Sequence, residues 1–128
     1  LGPSGAGKSA LALQLIGLGA QLVGDDRIAL DRVGGDVIAS APAALAGLIE
    51  ARGVGLLRAP WAPAPLRLVV DLGQTEAMRL PPIRHTPVMD MSLPLVLGPL
   101  TAHLPATICL LLRGGRIDPE ADLAPETR

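Results

Sequence analysis

Lys8 is the single lysine of a 128-residue chain whose ten other strongly basic side chains are all arginine. It stands in the run Gly2-Pro3-Ser4-Gly5-Ala6-Gly7-Lys8-Ser9, which has the spacing G-x-x-x-x-G-K-[ST] of a phosphate-binding loop. Glycines let such a backbone curl until several N–H groups face one concavity. At the start of a helix that concavity suits a polyphosphate such as that of ATP. Lys8 would reach the β- and γ-phosphates as a compact point charge, and Ser9 would offer its hydroxyl to Mg²⁺. Asp25-Asp26 follows one helix and one short strand later. In an open α/β sheet that point lies at the carboxyl edge, beside the phosphates. A carboxylate there can hold Mg²⁺ or accept a proton from an attacking hydroxyl. Glu50 and Arg52 precede Gly53-Val54-Gly55. Spacing alone reads them as exposed residues at a helix end.

The elements that must position these groups follow from apolar periodicity and breakers. Leu11, Leu13, Leu15, Ile16 and Leu18 predict a helix after Lys8-Ser9, weakened and ended by Gly17 and Gly19. Residues 21–24 predict a short buried strand. Residues 27–33 alternate as a half-exposed strand does, Gly34-Gly35-Asp36 signals a hairpin, and residues 37–39 return. Pro42 suits the first turn of a helix running through Leu45, Leu48 and Ile49 to about Ala51. Leu56-Leu57 opens a further strand or turn, and three prolines with Trp61 make 59–65 an irregular extended loop. Strands are predicted at 66–72, 86–90 and 93–97, and a last helix reaches Arg113. Residues 1–113 read as one α/β domain, and 114–128 as a polar tail expected to be exposed.

Composition narrows the classes. A net charge of -1 argues against a nucleic-acid partner. With no Phe or Tyr, the core must be aliphatic. A single cysteine, Cys109, excludes an internal disulfide framework and suits a reducing cytoplasm. Residues 91–112 contain no Asp, Glu, Lys or Arg, long enough to span a bilayer, but Pro94, Pro99 and Pro105 interrupt them. They read as strand, turn and core helix, without a membrane role. Only Leu1 precedes the loop, where a strand is expected, so the chain reads as a fragment of a longer protein.

The loop, then Leu22-Val23-Gly24-Asp25-Asp26, then Glu50-Ala51-Arg52-Gly53-Val54-Gly55-Leu56-Leu57, together resemble the catalytic domain of HPr kinase/phosphorylase. That family shows G-x-S-G-x-G-K-S, V-A-D-D and E-x-R-G-[LIV]-G in this order, and the match covers roughly residues 1–58. The resemblance implies an α/β P-loop kinase domain with a mixed sheet, akin to phosphoenolpyruvate carboxykinase. It implies an ATP- and Mg²⁺-dependent kinase for a seryl hydroxyl of the phosphocarrier HPr, acting in carbohydrate regulation through the phosphotransferase system, and a homo-oligomer. Residue by residue, Lys8 contacts phosphate, Ser9 and Glu50 hold Mg²⁺, and Asp26 is the proton acceptor with Asp25 beside it. Residues 49–58, including Arg52, fall in the catalytic signature, and Arg79 matches a catalytic arginine.

Past residue 58 the chain departs from the pattern. The P-V-[KR]-x-G-R motif tied to dephosphorylation meets Thr86-Pro87-Val88-Met89-Asp90-Met91, which has no cation after Pro-Val. The reverse phosphorolysis is therefore expected to be weak. The loop motif alone would also serve a P-loop kinase of small molecules, or a nucleotide-binding regulatory module without transfer chemistry.

Overall fold

The computed structural model describes residues 1–117. The polar tail expected at 114–128 lies mostly outside them. The first helix, α1, is Lys8–Gly17. It closes with Gly19 N–H bonded to Ile16 C=O and Ala20 N–H bonded to Leu15 C=O, the paired bonds of a Schellman ending. β1 (Ala29–Val33) and β2 (Asp36–Ser40) form the expected antiparallel hairpin, and the two-residue β5 (Ala64–Pro65) adds to the far edge of β2. β3 (Leu48–Ala51) and β4 (Gly55–Arg58) pair as a second hairpin. The third sheet is mixed, in the order β6-β8-β7: β6 (Val69–Thr75) runs parallel to β8 (Met91–Gly98), and β7 (Arg84–Val88) runs antiparallel to it. Chain direction ends in α2, Leu104–Gly114.

The core joins the loop's helix to the mixed sheet. Leu11 of α1, Leu72 of β6, and Leu104 and Ile108 of α2 are buried together, with Ala6, Leu15, Val70, Val96 and Leu100 packed around them. Burying such aliphatic side chains is worth roughly 1.5–3 kcal/mol each, which in a chain without Phe or Tyr must supply most of the packing energy. Leu1 is held on β6: its backbone nitrogen donates to Val70 C=O at 2.6 Å, and Leu72 N–H donates to Leu1 C=O at 2.9 Å. This is the alternation by which a parallel neighbour is held. The phosphate loop thus leaves directly from the sheet.

Four expectations change. The helix predicted over 42–51 is a 3₁₀ turn, Ala43–Leu45, followed by strand β3. Gly47 separates the two, at φ +75, with the Trp61 ring so close that a Cβ there would lie 2.6 Å from Cδ1. Ile49 then pairs with Leu57 of β4 and is buried to 1% exposure. The strand at 21–24 shrinks to one parallel bridge, Leu22 with Trp61. The strand predicted at 66–72 begins three residues later and runs to Thr75, because Leu66 N–H is spent on Val37 C=O of β2. Asp90 leaves the predicted strand for the β7–β8 turn, where Met89 and Asp90 both take positive φ, as a two-residue hairpin turn requires.

Residues 91–112 divide into β8, a connection and α2, and no helix among the described residues is long and apolar enough to cross a membrane.

Candidate active site

The phosphate loop is anchored at both ends. Gly7, at φ +104, precedes α1 and lies against Leu100; Leu11 N–H donates to its carbonyl at 2.8 Å. Gly2 packs on Gly73 of β6. The end of β6 is stiffened there by Asp71, which accepts Gly73 N–H at 2.9 Å and the Gln74 amide at 2.8 Å. Those two bonds, Gln74 first, hold the Asp71 carboxyl below its ordinary value.

A cavity of about 490 Å³ opens over the loop, lined by Ser4, Gly5, Gly7, Lys8 and Ser9, by Ala10 and Leu13 of α1, by Asp25 and Asp26, and by Glu50 and Arg52. Of the eight loop residues expected to bind phosphate, five line this cavity; Gly2, Pro3 and Ala6 do not. Ala10 and Leu13 were not read as site residues from the sequence, although Leu13 is four residues after Ser9 and so shares its helix face. Lys8 Nζ donates to Gly2 C=O at 2.6 Å, which folds the side chain back along the loop.

The acidic residues arrive from two other segments. Leu22 is gripped on both sides by the proline-rich loop: its N–H donates to Pro60 C=O at 2.9 Å and its C=O accepts Ala62 N–H at 3.0 Å. This fixes the chain just before Asp25. The Ser9 hydroxyl donates to Asp25 Oδ1 at 2.9 Å, and Glu50 N–H donates to Asp25 Oδ2 at 3.1 Å. Asp26, at φ +69, turns the chain sharply and is exposed. Aspartate is among the residues that tolerate this left-handed region. Glu50 is an exposed strand residue, not a helix end, and Arg52 lies in the β3–β4 turn. Trp61 covers Gly47, so one loop braces both the Asp25 segment and the start of β3.

Arg79 is exposed in the connection after β6 and does not line the cavity. Residues 86–91, compared above with the dephosphorylation motif, do not line it either. They make the β7–β8 turn, where Met89 C=O accepts Arg32 at 2.7 Å.

The donors fit a hard divalent cation. Ser9 hydroxyl and the Glu50 and Asp carboxylates are oxygen ligands, the kind Mg²⁺ takes. Among the described residues no group of three or more His, Cys, Asp or Glu could hold a metal by itself. Mg²⁺ commonly uses one or two carboxylates and completes its shell with water and substrate phosphates.

Residues 1–60 match the family model for the HPr Serine kinase C-terminal domain. An HPr kinase/phosphorylase of Aromatoleum aromaticum is 41% identical over 117 residues, covering 76% of this chain and 37% of that protein. The chain resembles the HPr kinase/phosphorylase family. The HPr kinase/phosphorylase of Clostridium tetani is 42% identical over 59 residues, 46% of this chain and 19% of that protein. The chain thus spans well under half the length of these curated relatives. The solved HPr(Ser) kinase/phosphatase of Coxiella burnetii superposes with a TM-score of 0.73 at 29% identity, over 88% of this chain and 82% of that one. The mixed α/β fold expected from the sequence is the fold of this family.

Proposed function

We propose that this chain is the catalytic core of an ATP- and Mg²⁺-dependent protein-serine kinase. Its acceptor is an HPr-type phosphocarrier, and its cytoplasmic role is regulation of carbohydrate use through the phosphotransferase system. The observation that carries this reading is the single cavity shared by Lys8, Ser9, Asp25, Asp26, Glu50 and Arg52. Three segments far apart in sequence bring a phosphate loop, a free carboxylate and a metal-compatible pair together.

Each side chain then has a task set by its chemistry. Lys8 gives up the Gly2 carbonyl and neutralises the β- and γ-phosphates. The Ser9 hydroxyl donates a hydrogen bond to Asp25, so its oxygen lone pairs would remain to bind the metal. Glu50 would supply the second protein ligand to Mg²⁺, whose charge would offset that of the phosphates. Asp26 accepts the proton of the acceptor serine as its oxygen forms a bond to the γ-phosphorus; the bond to the β-phosphate bridging oxygen breaks and ADP leaves. Arg52, a planar guanidinium with several donors at the cavity rim, suits the oxygens of the transferring group. Arg79 stands outside the cavity, so that task falls to Arg52.

The test is transfer of the terminal phosphate from labelled ATP to an HPr-type carrier, run beside a panel of small metabolites. Phosphoserine on the carrier supports the reading. Phosphorylation of a metabolite alone would make this a small-molecule kinase, and nucleotide binding with no transfer would make it a regulatory module.

A further inference from the structure

Both carboxylate oxygens of Asp25 are engaged, and by partners remote in sequence: the hydroxyl of Ser9 on α1 and the backbone N–H of Glu50 on β3. The second bond is the informative one. Glu50 lies opposite Leu56 in the β3–β4 pair. In an antiparallel ladder, opposed residues alternate between exchanging two N–H···O bonds and exchanging none. The Glu50 N–H goes to Asp25, so it points out of the hairpin at a position that exchanges none. Among the described residues β4 is the only strand paired with β3. A side chain occupies the place that a further strand would take.

We infer that Asp25 is a positioning residue, a brace that fixes the Ser9 hydroxyl and the Glu50 strand at a set separation so that the metal-binding pair is assembled before the metal arrives. The metal half of this inference rests on the function proposed above; the brace itself rests only on the two hydrogen bonds. Asp25 and Asp26 then divide the work. One is locked between two elements. The other is turned away by its left-handed backbone, and among the described residues no hydrogen bond holds its carboxylate.

The experiment compares Asp25→Asn, Asp25→Ala and Asp26→Asn in the full protein by three readouts. These are amide exchange at Glu50 without ligand, Mn²⁺ affinity in the presence of ATP, and ATP affinity without metal. Asparagine keeps one acceptor oxygen and cannot accept with its NH₂, so it loses one of the two bonds while preserving shape. Glu50 exchange should accelerate about tenfold or more in Asp25→Ala, as for loss of a bond to a charged group, with a smaller rise in Asp25→Asn. Mn²⁺ affinity should fall roughly 10–100-fold, the usual effect of removing a residue that orients a ligand. Metal-free ATP binding should change far less than Mn²⁺ affinity, since Lys8 and the loop backbone are untouched. Asp26→Asn should leave Glu50 exchange as in the wild type. Should Asp25→Ala fail to fold, the isosteric Asp25→Asn decides. Unchanged Glu50 exchange would overturn the brace, and faster exchange with unchanged Mn²⁺ affinity would reduce Asp25 to a fold contact. A wild-type protein binding neither ATP nor Mn²⁺ would overturn the kinase reading and the metal half together, with the brace still judged by exchange.

Discussion

Lys8 Nζ rests 2.6 Å from the Gly2 carbonyl, bridging the first and last turns of the phosphate loop. The bond holds the ammonium beside the cavity that its charge would serve. Lys8→Ala should therefore weaken ATP binding while leaving the fold intact. A hydrogen bond to a charged group is worth about 1.5–3 kcal/mol, or roughly 10–100-fold in affinity. Calorimetry with ATP checks this, and unchanged affinity would remove the phosphate role. Lys8→Arg should also be impaired, because a planar fork does not replace a point charge in a tight loop.

The two free carboxylates should fail differently. Asp26→Asn keeps the shape and removes the proton acceptor, so transfer should drop by about 10²–10⁴-fold with ATP still bound. Glu50→Gln should instead raise the Mg²⁺ concentration needed for half-maximal rate. Normal turnover in both variants would make these acids surface features.

Glu76 and Arg84 meet through two bonds, 2.7 Å and 2.9 Å, that tie the connection after β6 to β7. The arginine holds the Glu76 carboxyl below its ordinary 4.5. The unfolded chain therefore takes up this proton first as pH falls. The pair's stabilisation is complete above about pH 4.5 and is lost as pH drops toward the folded-state value. Denaturant titrations from pH 7 to 3 should show a loss below pH 4.5 that is smaller in Glu76→Gln. Identical acid profiles would mean the pair contributes nothing to this dependence.

Gly47→Ala should destabilise the protein. Its φ of +75 costs a non-glycine residue roughly 1–2 kcal/mol, and its new Cβ would press on Trp61. Trp61 is the only tryptophan, so its fluorescence reports both unfolding and any local shift. An unaltered unfolding midpoint would contradict the packing described here.

Phosphorolysis should be weak beside the kinase direction. Inorganic phosphate must bind before it can attack a phosphoserine, and a dianion needs cationic donors. Residues 86–91 supply none and stand away from the cavity. Efficient phosphate-dependent release of pyrophosphate from a phosphoserine carrier at sub-millimolar phosphate would show that another arginine has taken the role.

Local signals were strongest where one segment suffices. The loop with α1, the Gly34-Gly35 hairpin and α2 are all set by glycines, prolines and short-range periodicity. Residues 42–51 misled because Leu45, Leu48 and Ile49 have helical spacing, while the deciding partners, Trp61 and Leu57, come later in the chain. In the site, Lys8, Ser9, Asp25 and Asp26 were read from type and spacing, Glu50 and Arg52 only through the family resemblance, and all six line one cavity. The use of both Asp25 oxygens was not legible, because it depends on which way adjacent carboxylates turn, and that is set by the Asp26 backbone.

The most direct test of the kinase assignment is single-turnover transfer from labelled ATP to an HPr-type carrier, with wild type and Asp26→Asn side by side. The expected result is Mg²⁺-dependent phosphoserine on the carrier, slowed at least about 10²-fold in the variant at unchanged ATP affinity. No phosphoserine with the wild type under saturating MgATP, or equal rates for the two proteins, would contradict it.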